Sequence, residues 1–261
     1  MLELYHGEPN IYFLKPLVAL TEARAPFASR YFDPTTLEQC SPEFPHNLES
    51  ALQLEREGPL LVDGATVLTS SFFVLEYIAE SFPAAKLLPG DAYEHYRARA
   101  WGQFIALQLS PNVCALGCAR YLAPVLRARD QAELRERIGR IEPLERRAAW
   151  MAVIDGSLND TALAAVRERL QMPVMRFEHA LAAGPWLAGP AYSIADIDAF
   201  AMLSPLAHLA PELVNERVAP RLIEFLARVR ARPAVQQALA TSKTGKPQEA
   251  FVPGAEPSRW G

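Results

Sequence analysis

The stretch from Gly58 to Pro83 constrains the fold more than any other part of the chain. Leu60-Leu61-Val62 is a short apolar run entered through Gly58-Pro59, and Thr66-Val67-Leu68 is a second run of the same kind. Asp63-Gly64 between them predicts a type I′ hairpin, because that turn needs positive φ and glycine adopts it without steric cost. A helix follows, with Phe72, Leu75, Ile78, Ala79 and Phe82 on one face. Ser70 or Ser71 is its N-cap and Pro83 ends it. The unpaired N–H groups and positive dipole end of a helix N-terminus bind anions such as a carboxylate, and a serine hydroxyl adds a further hydrogen bond. Pro59 is a candidate cis-proline, an arrangement that turns the backbone of Gly58 outward to pair with an extended peptide.

The segments before this stretch complete a unit. Leu2 to Tyr5 alternates as a strand, and 11–24 carries a helical pattern through Leu14, Leu17, Val18 and Leu20, with Pro16 near its start. A second strand spans 27–32 and closes at Asp33-Pro34. Strand, helix, strand at this length is a βαβ unit with parallel pairing. Joined to the hairpin and its helix, it predicts a thioredoxin-like α/β domain over 1–83, with an acidic, irregular 35–57 that includes a short helix over 48–57.

A proline- and glycine-containing linker, 84–91, leads to an all-helical domain over 92–245. Long helices are expected over 92–107, 113–126 and 160–183, the last bent or broken at Pro173, with closing helices over 221–230 and 234–240. The mixed charges of 127–147 read as a solvated helix interrupted by Pro143. Ser193 and Asp196 have capping-box spacing, with Tyr192 and Ile197 as a hydrophobic staple, a structural device without chemistry. From Ser242 onward Pro, Gly and polar residues predict a loosely docked tail, 246–261 lying outside the helical domain.

Composition removes several function classes. A formal net charge of −4 argues against general nucleic-acid binding and against a polybasic membrane anchor. No apolar run approaches the ~20 residues of a membrane span, and no signal peptide is visible. Cys40, Cys114 and Cys118 are too few for a disulfide framework, so a reducing, cytoplasmic setting is expected. Neither these cysteines nor the five histidines have metal-ligand spacing, and no metal is expected.

A thioredoxin-like half, a proline linker and a helical half together resemble the glutathione transferase family over nearly the whole chain. The carrying motifs are Pro59 through Gly64, Val67 through Ser71, Glu76-Tyr77-Ile78, Phe82-Pro83, Trp186 through Gly189, Tyr192 through Ile197 and Arg232-Pro233. Within the family, Leu14-Lys15-Pro16-Leu17, Leu20, Glu22, Phe27, Asp33-Pro34 and Glu38-Gln39 are most similar to the bacterial lignin β-etherases. The tetrachlorohydroquinone dehalogenases share the insertion before Asp160 and the motif at Tyr192. The resemblance implies glutathione as co-substrate, with no metal, and an aromatic small molecule as second substrate. It implies aromatic-compound catabolism, no nucleic-acid or membrane partner, and a dimer, either homodimer or heterodimer. The reaction it implies is thiolate attack on a β-aryl ether with release of a phenol. The alternatives are a glutathione-dependent reductive dehalogenase and a non-catalytic binding protein or silent heterodimer subunit.

By the same resemblance Gly58, Pro59, Ser70 and Ser71 hold glutathione, with Lys15 or His46 meeting its glycyl carboxylate. Two departures stand out. Phe13 occupies the place where the etherases carry a thiol-binding serine, and it has no hydrogen-bond donor. Tyr12 is the preferred replacement as catalytic residue, with Tyr5, His6 and a backbone N–H near Ile11 as the other candidates. Ser70 stands where an acidic residue is usual, so recognition of the γ-glutamyl amine has to come from elsewhere.

Overall fold

A computed structural model describes residues 1–40, 44, 59–141 and 144–254. The N-terminal unit contains strand β1 (Leu2–His6), helix α1 (Ile11–Glu22), strand β2 (Phe27–Tyr31), strands β3 (Leu60–Asp63) and β4 (Thr66–Leu68), and helix α2 (Ser71–Ser81). The strands form one mixed sheet in the order β2-β1-β3-β4, with β1 and β2 parallel and the β1–β3 and β3–β4 pairs antiparallel. Leu4 opposite Leu61 places two fully buried leucines at the sheet centre. The expected thioredoxin-like order is therefore present. Its hairpin differs by one residue: Asp63 pairs with Thr66, so Gly64-Ala65 makes the turn. Only Gly64 has positive φ, +61°, so this is not the type I′ turn, which needs positive φ at both central positions.

The helical domain contains α3 (Ala92–Phe104), α4 (Ser110–Gly117), α5 (Ala123–Arg127), α6 (Gln131–Gly139), α7 (Leu144–Asp155), α8 (Asp160–Ala180), α9 (Ile194–Leu203), α10 (Leu206–Leu209), α11 (Pro220–Arg230) and α12 (Pro233–Leu239). The first three form one unbroken helical run, joined by π turns over Ile105–Leu109 and Cys118–Leu122. Each π turn precedes a proline, Pro111 or Pro124. A proline ring clashes with the carbonyl four residues back in an α-helix, and a widened turn moves that carbonyl aside. Pro173 does not interrupt α8 either. The mixed-charge segment forms two helices, α6 and α7, and their inner faces bury Leu134, Ile138 and Trp150. Pro143 and the helix expected over 48–57 lie outside the described residues.

Helix α1 joins the two domains. It packs on α2 within its own domain and on α9 and α12 across the interface. Leu14, Leu17, Val18 and Leu20 are all buried, as an apolar helix enclosed from several sides requires. At its C-terminal end Glu22 accepts a two-point bond from Arg232, at 2.6 and 3.0 Å. The Arg232 guanidinium also lies 3.7 Å from the centre of the Tyr192 ring. The capping box is present: Asp196 accepts from the Ser193 N–H at 2.8 Å and from the Leu187 N–H at 2.9 Å.

The tail departs from expectation. Residues 242–254 form a strap across the domain junction. Glu8 accepts bonds from the Ser242 hydroxyl and from the N–H groups of Lys243 and Thr244. Burial pushes the Glu8 carboxyl up, but these bonds and that from Tyr31 pull it below the usual range. Farther on, Asn10 donates to the Ala250 carbonyl at 2.8 Å, and Phe251 is buried parallel to the Tyr121 ring. Gly117 makes room for it, since a Cβ there would lie 2.1 Å from the Phe251 ring. Composition marks this segment as loop, and apart from a 3-10 turn over Pro247–Glu249 it is loop; its anchors are single residues that composition does not reveal.

Candidate active site

The N-termini of α1 and α2 open onto one cavity of about 110 Å³ between the domains. Both helices begin beside strained backbone. Ile11 has φ +38° and Ser70 φ +66°, values that non-glycine residues rarely adopt and that cost on the order of 1–3 kcal/mol each. Ser70 is the N-cap of α2 but its side chain makes no capping bond. The N–H groups of the first turn of α2 are therefore not occupied by the cap, and they suit an anion.

Ser71, Ser70, Tyr12 and Lys15 all line this cavity, so four of the expected site residues come together. Pro59 is buried just before β3 and does not line it. Gly58 and His46 lie outside the described residues. The Tyr12 hydroxyl is 2.6 Å from the Ser110 Oγ, and the Cys114 thiol donates to it at 3.3 Å. Burial, reinforced by Cys114, holds the Tyr12 phenol well above its ordinary pKa, so it stays a neutral donor. Burial pushes the Cys114 thiol up to about 11 and holds the Cys118 thiol well above its ordinary value, so neither is a thiolate at neutral pH.

Two other donor candidates, His6 and Tyr5, do not line this cavity. His6 is buried with Nδ1 2.7 Å from the Gly7 carbonyl and Nε2 2.7 Å from the Ser29 hydroxyl, and burial lowers its pKa. Tyr5 packs edge-on against Phe44. Phe13 is buried beside Gly7 and edge-on to Phe32, and it lines a different cavity.

Lys15 carries the least expected contacts. Its ammonium is buried, 2.6 Å from the Asp198 carboxylate of α9 and 3.1 Å from the Ser71 hydroxyl, to which it donates. Burial pushes the Asp198 carboxyl up, and Lys15 opposes that shift. Sequence reasoning did not select Asp198, although an acid in the otherwise apolar run Ile197-Asp198-Ala199-Phe200 is an available signal. It also missed Arg146. That residue belongs to the charge-rich segment read as a solvated face, yet it is buried, lines the cavity and donates to the Pro253 carbonyl of the strap at 3.0 Å. Chemically, the cavity can hold a carboxylate at the start of α2, and it presents a neutral phenol to a reacting atom near α1. Among the described residues no group of three or more His, Cys, Asp or Glu is placed to hold a metal ion, and no helix is long and apolar enough to cross a membrane.

Comparison with known proteins agrees with this architecture. Residues 150–242 match the family described as glutathione S-transferase, C-terminal domain. Protein LigF of Sphingobium sp. (strain NBRC 103272 / SYK-6) is 27% identical over 248 residues, covering 93% of this chain and 94% of the relative. A probable maleylacetoacetate isomerase of Vibrio cholerae is 32% identical over 77 residues, or 30% of this chain and 35% of that protein. The crystal structure of β-etherase LigF superposes with a TM-score of 0.82 at 26% identity, over 92% of this chain and 99% of LigF. A glutathione transferase homologue from Sulfitobacter, solved with bound glutathione, shares the fold with a TM-score of 0.63 at 21% identity, over 91% of this chain and 96% of its own. The chain is thus similar to the glutathione S-transferases, in their C-terminal domain over 150–242 and in the fold of both domains, and its likeness to the LigF β-etherase runs through nearly its whole length.

Proposed function

We propose that the protein is a glutathione-dependent transferase that cleaves a β-aryl ether. The observation that carries this reading is the Ser71 hydroxyl at the open start of α2, facing a cavity it shares with Tyr12, on a fold that superposes on a β-etherase. In this reading the glutamyl carboxylate of glutathione docks on the N–H groups of α2 and on Ser71, and Pro59 with Gly58 supports the peptide. Lys15 completes the charge environment of that carboxylate rather than reaching the glycyl end, since its ammonium already sits at Ser71.

The sulfur lies near the start of α1. Tyr12, held neutral, donates to it and favours the thiolate. The thiolate lone pair attacks the carbon that bears the aryl ether, activated by a neighbouring ketone. A carbon–sulfur bond forms, and the carbon–oxygen bonding pair leaves with the phenolate, which then takes a proton. Alignment of sulfur, carbon and leaving oxygen supplies a large share of the rate.

A two-fold dimer, cytoplasmic placement and a role in aromatic catabolism complete the reading. The exposed rings of Phe73, Tyr93 and Tyr96 support the dimer, since large solvated aromatics suit a subunit contact. One observation favours a binding protein without turnover: the Tyr12 hydroxyl already bonds Ser110 and Cys114, and Phe13 offers no donor. Calorimetry tests the binding half. Glutathione should bind, and Ser71→Ala should weaken it by about 1–3 kcal/mol through loss of a hydrogen bond to a charged group. Equal binding by wild type and variant refutes the assigned role of Ser71.

A further inference from the structure

The Lys15–Asp198 pair is chemically unfinished. A carboxylate has about four lone-pair positions, and a buried one is stable only when hydrogen bonds fill most of them. Among the described residues Lys15 is the only group bonded to Asp198, which is 1% exposed. Asp196, two residues earlier in α9 and also buried, shows the contrast: its carboxylate accepts from the Leu187 N–H, from the Ser193 N–H and from the Ser193 hydroxyl. Asp198 instead lines the cavity, together with Ser70 and Ser71. A buried carboxylate with unfilled positions, facing a cavity, suits a ligand that brings donors and positive charge.

The neighbouring groups say which ligand. The N-terminus of α2 and Ser71 suit a carboxylate, and Lys15 bridges Ser71 to Asp198 at 3.1 and 2.6 Å. One end of this row therefore takes an anion and the other a cation, a short distance apart. That is the pattern of an α-amino acid head group, carboxylate and ammonium on one carbon.

We infer that Asp198, a residue of the helical domain, recognises the α-ammonium of the ligand, while α2 and Ser71 hold its α-carboxylate. The inference rests on the glutathione reading above and assigns the amine contact that Ser70 has no charge to make. It also makes ligand recognition depend on the domain junction, because Asp198 reaches the cavity from α9 and Lys15 from α1.

The test compares glutathione with glutaryl-cysteinylglycine, the same tripeptide without the α-amino group, by calorimetry at pH 7. Wild-type protein should bind glutathione about 10- to 100-fold more tightly than the analogue, the scale of one charge-assisted hydrogen bond. Asp198→Asn should bring the two affinities within about twofold of each other by weakening glutathione alone. Should that variant fail to fold, Lys15→Met/Asp198→Asn removes the buried charges together, and the same loss of discrimination is expected. Equal affinities in the wild type, or full discrimination retained by either variant, would overturn the role of Asp198 while leaving glutathione binding intact. Failure of the wild type to bind either tripeptide at millimolar concentration would overturn the glutathione reading and this inference with it.

Discussion

Replacing Lys15 by methionine isolates the cost of the buried charge at the domain junction. The substitution keeps much of the side-chain volume and removes the only group bonded to Asp198 among the described residues. Breaking a buried pair from one side costs about 3–5 kcal/mol. Protonation sets a ceiling, because a stranded carboxylate can escape by taking a proton. From the ordinary value of 3.8, protonating Asp198 at pH 7 costs about 4.4 kcal/mol at 1.36 kcal/mol per pH unit, and at pH 5 about 1.6 kcal/mol. The sign follows from linkage: a folded carboxyl that titrates above its unfolded value contributes stability at low pH and loses it as pH rises through the folded pKa. The wild-type Asp198 carboxyl is itself raised by burial, so the difference between the proteins stays below these ceilings. Urea unfolding should thus show Lys15→Met destabilised by about 3–4 kcal/mol at pH 7 and by under about 2 kcal/mol at pH 5. Lys15→Met/Asp198→Leu should recover most of the loss, since no charge is then stranded. A loss below about 1 kcal/mol at pH 7, or one that does not shrink at pH 5, would refute the burial and pairing of Asp198.

Two further outcomes are expected. Gly117→Ala places a Cβ 2.1 Å from the Phe251 ring, so the ring must leave its seat, at a cost of about 1–3 kcal/mol. Limited proteolysis should then cut within 242–254 faster than in the wild type, and an unchanged rate would contradict the anchoring of the strap. Burial pushes the Asp196 carboxyl up to about 6 from 3.8, so its contribution to stability falls as pH rises between about 4 and 6, by up to about 3 kcal/mol. Relative to Asp196→Asn, the wild-type melting temperature should decline across that interval; parallel pH profiles would contradict it.

What the sequence makes legible is what is local. The hairpin, the serine-led helix α2 and the capping box at Ser193 are each encoded within a few neighbouring residues, and each forms. The serine pair at the start of α2 is local in the same way, and it lines the cavity. The break expected between 107 and 113, around Pro111, does not occur, because a π turn absorbs that proline as another absorbs Pro124, and the run continues unbroken. Arg146 is hidden by its charged neighbours, although burial of α7 against the core turns that one arginine inward. The meeting of Lys15 with Asp198 is long-range and depends on how α1 packs against α9, which neither helix specifies alone. The strap is likewise written in isolated anchors, Glu8, Asn10 and Phe251, scattered over both ends of the chain.

Ether cleavage is tested most directly by incubating the protein with glutathione and a ketone-activated β-aryl ether and following phenol release against glutathione consumption. One phenol should be released and one thioether formed per glutathione consumed, with the rate lowered in Ser71→Ala and in Tyr12→Phe. Glutathione bound at the site but no phenol released would contradict it.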